Sequence, residues 1–173
     1  MPRTFTLSEH YPASVEQVYA VFADEHYWRA RLAESGADVV ALDEMTVGPD
    51  GGVDVLTTQG IHRTKLPALA AQFHPGNLDV ARHETWHPVR DGRARAQVVG
   101  KVVGAPAKLS GDAVLAPASG GCELRLTATV QVDIPLVGGK IESFIGGQLA
   151  ELMTTEQRFT LAWLRQGGAA PTA

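Results

Sequence analysis

The chain closes on PLVGGKIESFIGGQLAELMTTEQRFTLAWLRQ, residues 135–166, and this stretch decides the fold. Apolar residues fall at Val137, Ile141, Phe144, Ile145, Leu149, Leu152, Met153, Phe159 and Trp163, mostly three or four apart. That spacing lays an apolar stripe along one face of a helix. At about 1.5 Å per residue the helix would run roughly 48 Å, too long for an appendage on a chain of this size. A curved sheet gripping the helix is the natural way to bury its stripe.

Upstream, Thr4–His10 reads as a strand ended by Pro12, and Ser14 with Gln17 has the spacing of a capping box. A helix then runs to about Asp24, with Val15, Val18, Tyr19 and Phe22 on one face, and a second spans Tyr27 to Glu34. Six strands follow in three pairs. Asp38–Thr46 and Val53–Gln59 flank Gly48-Pro49-Asp50-Gly51-Gly52. Leu78–Pro88 and Gly92–Val103 meet at Arg90-Asp91-Gly92. Ala107–Leu115 and Cys122–Asp133 flank Pro117-Ala118-Ser119-Gly120-Gly121. Short turns between successive strands imply an antiparallel meander. The segment between Gly60 and Leu78 is too long for a turn. Pro67 suits a first helical position there, Leu69 and Phe73 could share a face, and long connections often serve as lids or binding loops. The Gly- and Ala-rich end, 167–173, is expected to be a disordered tail.

Composition narrows the function classes. The 173 residues suffice for one domain with a sizeable core. A net charge of −4 offers no polyanion-binding surface, so no nucleic-acid partner is expected. No apolar run nears the roughly 18 residues of a membrane span, and the N-terminus lacks a secretory pattern, so the expected compartment is the cytoplasm. Cys122 is the only cysteine, which excludes an internal disulfide and a multi-cysteine metal site. A monomer or weak homodimer is expected.

The last three strands alternate cleanly. Their apolar faces carry Ala94, Ala96, Val98, Gly100 and Val102; then Ala107, Leu109, Gly111, Ala113 and Leu115; then Cys122, Leu124, Leu126, Ala128, Val130 and Val132. Such patterning means one covered and one wet face. Many of these residues are small, and the helix adds Gly146-Gly147. Small residues either let the helix sit close, giving a solid core, or leave room for a ligand.

Catalytic signals are sparse. His83 and His87 lie about 13 Å apart on a strand, beyond one ion's reach. His62 and His74 fall outside the strands, and no H-E-x-x-H pattern is present, so neither metal nor cofactor is expected. Cys122, at a strand start on the inner face, reads as a buried structural thiol. No Gly-x-Ser-x-Gly elbow or phosphate loop surrounds the glycine pairs. Glu84 and Trp86 share a strand face with Val80 and Arg82. Facing inward, Glu84 would be a carboxyl in apolar surroundings and a candidate general acid. Facing outward, it would pair with Arg82 or another basic residue at the sheet surface. Gln148 is either a polar anchor inside or a solvent-facing residue.

Several short stretches carry a family resemblance: Leu66-Pro67, Glu84-Thr85-Trp86, Ile134-Pro135-Leu136-Val137-Gly138-Gly139-Lys140-Ile141-Glu142, Glu156 and Trp163-Leu164. With the element order, they resemble the START-like, helix-grip or SRPBCC superfamily of birch-pollen-allergen-like and polyketide cyclase/lipid-transport proteins. Within it the chain looks most like an uncharacterised, largely actinobacterial branch. The resemblance implies an α+β fold over residues 1–166: a seven-stranded curved antiparallel sheet around the C-terminal helix, with two short helices after the first strand. It also implies a hydrophobic cavity between sheet and helix, which decides between the two packing readings. Trp86, Ala96, Val98, Leu109, Leu124, Leu126, Phe144, Ile145, Gln148, Leu149 and Leu152 would line that cavity, and a leucine at Gly147 would fill it. The expected function is non-catalytic binding or carriage of a lipid-, fatty-acid- or polyketide-like molecule. The alternatives are a cyclase or aromatase using Glu84 with water or a histidine, and a partner-binding module without ligand.

Overall fold

The computed structural model describes residues 2–66, 68–73 and 76–167. The expectations for Pro67, His74 and residues 168–173 lie outside the described residues. In chain order come β1 (Arg3–Tyr11), α1 (Val15–Phe22), α2 (Glu25–Ala33), β2 (Val39–Val47) and β3 (Val53–Ile61). A 3-10 turn at Arg63–Lys65 leads to α3 (Ala68–Phe73). β4 (Leu78–Trp86), β5 (Ala94–Val102), β6 (Ala107–Ala118), β7 (Gly121–Val132) and α4 (Gly138–Arg165) complete the chain. The seven strands form one curved antiparallel sheet in the order β1-β7-β6-β5-β4-β3-β2. This is the architecture the family resemblance implied.

Local chemistry sets the boundaries. The Ser14 side chain accepts from the Gln17 amide and the Gln17 side chain from the Ser14 amide, which completes the capping box of α1. Asp24 caps α2. The β4–β5 hairpin turns at Asp91 and Gly92, both with positive φ, the signature of a tight primed turn. α4 begins at Gly138, three residues later than the periodicity suggested, and spans 28 residues, or about 42 Å. The reason is Leu136, whose φ of 69° lies in the left-handed region and interrupts the helical run after Pro135.

α4 does not sit centrally on the sheet. It lies against β1 and β7 at one edge. Val130, Val132 and Ile141 form a small core there with Phe5, Ile134 and Ile145. Gly146 makes this approach possible, because a Cβ at that position would overlap the Phe5 ring. Gly147 faces away with nothing within 4 Å, so a leucine there would not fill the space between helix and sheet. At its C-terminal end α4 packs on α2, with the Tyr27 ring 5.8 Å from Phe159 and 5.7 Å from Trp163. Phe22 joins this aromatic core to Trp86 on β4 at 5.0 Å.

The two adjacent glycines therefore respond oppositely. Gly146→Ala should cost about 1–3 kcal/mol through overpacking against Phe5. Gly147→Ala should gain about 0.5–1 kcal/mol from helix propensity. Urea unfolding of the two variants measures both, and equal effects would refute the placement of α4.

Candidate functional site

Because α4 leans on β1 and β7, a gap remains between it and the rest of the sheet. The gap is a cavity of about 720 Å3. Trp86 lines it from β4, Val98 from β5, Leu109 from β6, and Leu124 and Leu126 from β7. α4 contributes Phe144, Ile145, Gln148, Leu149 and Leu152. Among the expected lining positions Ala96 is the exception: it is 2% exposed, lies in the packed core opposite Trp86 and Ala113, and does not line the cavity. Phe144 is 39% exposed and Gln148 is exposed, so both belong to the rim. Glu151 and Thr155 continue that rim on the helix, and Lys65, Lys101 and Lys108 line it from the sheet side and its loops.

The inner face of β4 carries charge into this space. Arg82, Glu84 and Trp86 point inward, and Glu84 is buried. Its surroundings are ionic, which removes the premise of a general acid in an apolar setting. Glu84 lies 3.2 Å from Arg82 Nε and 3.8 Å from Arg31 of α2, and accepts a hydrogen bond from Trp86 Nε1 at 3.3 Å. The pairing with Arg82 was among the expected arrangements, but it is made inside and not at the sheet surface. Arg82 in turn grips Glu156 of α4 with two bonds, Nη1 to Oε1 at 3.1 Å and Nη2 to Oε2 at 2.9 Å. Arg31 also pairs with Glu156.

These four side chains are only 11–14% exposed. Arg31 stacks 4.4 Å over Trp28 and donates to the Tyr27 hydroxyl at 3.3 Å. That hydroxyl shares a 2.6 Å hydrogen bond with Thr160, which donates to the Glu156 carbonyl at 2.8 Å. Burial opposes ionisation of Glu156, but the two guanidinium groups outweigh it and hold its carboxyl below the usual range. Burial likewise opposes the charge on Arg31 and Arg82, and the carboxylates, Glu156 foremost, more than offset it, leaving both above the ordinary arginine value.

Arg31, Glu156 and Glu9 were not anticipated as site residues. Glu156 had a signal: it falls three residues after Met153 and three before Phe159, in register with the apolar stripe. A carboxylate at a core position of a helix implies a buried cation. Glu9 had one too, through the alternation Phe5, Leu7, Glu9, Tyr11 on β1. It lines the cavity, and burial alone raises its pKa. Arg31 had none, since α2 shows little amphipathic patterning.

Elsewhere, His83 bonds Asp54 at 3.0 Å among exposed side chains. Cys122 is fully buried, and burial, aided by Glu16, pushes its thiol up to about 11. Among the described residues no three His, Cys, Asp or Glu side chains gather as metal ligands, and no helix is long and apolar enough to cross a membrane.

The chain belongs to the family described as "Protein of unknown function (DUF2505)", whose model matches residues 6–164. It is 47% identical over 170 residues to uncharacterized proteins of Mycobacterium tuberculosis H37Rv and Mycobacterium bovis, covering 95% of this chain and 98% of each of theirs. Among solved structures it is similar to the Zhui aromatase/cyclase from Streptomyces sp. R1128, with a TM-score of 0.64, 10% identity and 98% of both chains covered. It is also similar to Ara h 8.0201, with a TM-score of 0.53, 12% identity, and 94% of this chain and 99% of that one covered. At such identities the likeness is one of fold, here the helix-grip arrangement.

Two results are expected of the ionic cluster. Glu156→Gln leaves two buried guanidinium groups with one carboxylate and should cost about 3–5 kcal/mol in urea unfolding. The double variant Arg82→Met, Glu156→Leu keeps the Arg31–Glu84 pair and should cost less than that single change. The pH dependence has a fixed sign. A carboxyl whose folded pKa is lowered contributes stability above its unfolded value, about 4.3. That contribution is lost as pH falls through the lower folded value. Wild type should therefore lose stability below about pH 4 more steeply than Glu156→Gln.

Proposed function

We propose that this DUF2505-family chain binds an apolar or amphipathic small molecule, of lipid or polyketide character, in the cavity between α4 and the sheet. The observation that carries the reading is the cavity itself, about 720 Å3 and walled largely by aliphatic side chains from β3 to β7 and α4. Pockets of about 300–1,000 Å3 with apolar walls and a few polar groups are the usual form of small-molecule sites. Burying apolar ligand surface there is worth about 25 cal/mol per Å2, so few polar contacts are needed for affinity. Solved structures of the same fold include an aromatase/cyclase, which agrees with a site for carbon-rich molecules without identifying one.

Catalysis through Glu84 has less support. Its carboxylate is engaged by Arg82, Arg31 and Trp86, and no described histidine lines the cavity.

The test combines native mass spectrometry of gently purified protein with a cavity-filling variant. Gly100 lines the cavity on β5, and a Cβ there meets its neighbours only at ordinary contact distances, 3.6 Å or more. Gly100→Leu should therefore place its side chain in the cavity without strain and keep or slightly raise the melting temperature, since glycine weakens a strand interior. Retained apolar molecules, or an added fluorescent lipid analogue, should bind at least about tenfold more weakly. Equal loss of binding and stability would mean that the region is solid core.

A further inference from the structure

The binder reading leaves open which polar group its ligand carries, and the charges around the cavity bear on that. Arg31, Arg82, Glu84 and Glu156 form a closed set of two cations and two anions, and the pairs they make are with one another. Glu9, half-buried, lines the same space from β1; burial raises its carboxyl, and it makes no ion pair among the described residues. Tyr11 follows two residues later on the same face of β1, buried and lining the cavity, close enough to feel the charges of Glu9, Arg31 and Glu156.

We propose that the bound molecule carries an uncharged hydrogen-bond donor, a hydroxyl or phenol, seated against Glu9 and Tyr11, and that anionic amphiphiles are disfavoured. The proposal rests on the binder reading above. With all five side chains ionised, the polar end holds an excess of negative charge. A carboxylate or phosphate entering it would shed water beside Glu9 and find both guanidinium groups already engaged. A hydroxyl can donate to Glu9 and accept from the Tyr11 O–H, satisfying both. Sites that pair with a ligand O–H discriminate strongly against molecules lacking it, because the site's own polar group is then left unpaired. The rival arrangement is a carboxylate held at the rim by Lys101 and Lys108, with its tail inside.

The experiment is displacement of the uncharged fluorophore N-phenyl-1-naphthylamine from the full chain, at neutral pH, by decanol and by decanoate. Decanol should displace it at a concentration at least about tenfold lower than decanoate. Glu9→Gln should narrow that gap to within about threefold, chiefly by improving decanoate, and Tyr11→Phe should weaken decanol alone. A carboxyl that burial disfavours in its charged form tolerates an amide, so Glu9→Gln should fold, which a thermal melt checks. It carries the test if Tyr11→Phe does not fold. Decanoate binding as tightly as decanol would overturn the proposal while leaving cavity binding intact. Loss of that decanoate binding in Lys101→Gln, Lys108→Gln would place its head at the rim. Failure of the fluorophore and of both displacers to bind would refute the binder reading itself.

Discussion

The paired hydrogen bonds between Arg82 of β4 and Glu156 of α4 are the brace on which the rest of the structure depends. α4 is secured along β1 and β7 by close apolar contact, and near its C-terminus by the aromatic rings of α2. Across the cavity toward β4, the ion pair is the polar link between helix and sheet. Arg31 ties α2 into the same point through Glu156 and Glu84. Three elements distant in sequence thus converge on one carboxylate. Buried ion pairs are weak sources of net stability, yet removing one partner is severe, because the other charges keep their desolvation cost. The network's main effect is on geometry: it holds the helix at a standoff which apolar packing alone would tend to close.

That standoff has an energetic consequence. Interiors normally pack to crystal-like density. A space of about 720 Å3 with an open rim is one that solvent or an organic molecule can enter. The walls are mainly aliphatic and offer water few partners away from the charged end. An apolar occupant would stabilise the fold in proportion to its concentration over its dissociation constant, so binding and stability are thermodynamically linked here.

The sheet was largely legible in the sequence because period-two alternation reports burial directly. The inner faces of β5, β6 and β7 follow the alternation, and the arginine, glutamate and tryptophan of β4 share one face as their spacing requires. The helix was legible as an element but less so as a surface. Gly146 and Gly147 are neighbours in sequence yet point in different directions, and only the position of Phe5 shows which one meets the sheet. Ala96 is on the covered face but behind the cavity wall, since alternation distinguishes inside from outside and not core from lining. Arg31 was illegible for a different reason: its partners come from β4 and α4, and no local pattern on α2 announces them.

The protonation behaviour of the site also bears on binding against catalysis. A general acid or base works best with a pKa near the operating pH. Glu156 is held below its usual range, Arg31 and Arg82 above theirs, and burial drives the hydroxyls of Tyr11 and Tyr27 higher still. Each of these groups has moved away from neutrality, as expected of side chains that brace a structure. Burial moves the Glu9 carboxyl on the cavity wall the other way, toward neutrality. An enzymatic version of this site would have to work through Glu9 rather than the ion cluster, with Tyr11 beside it to orient a substrate hydroxyl. With the other groups moved away from neutrality, the arrangement is better suited to recognising a hydroxyl than to moving its proton.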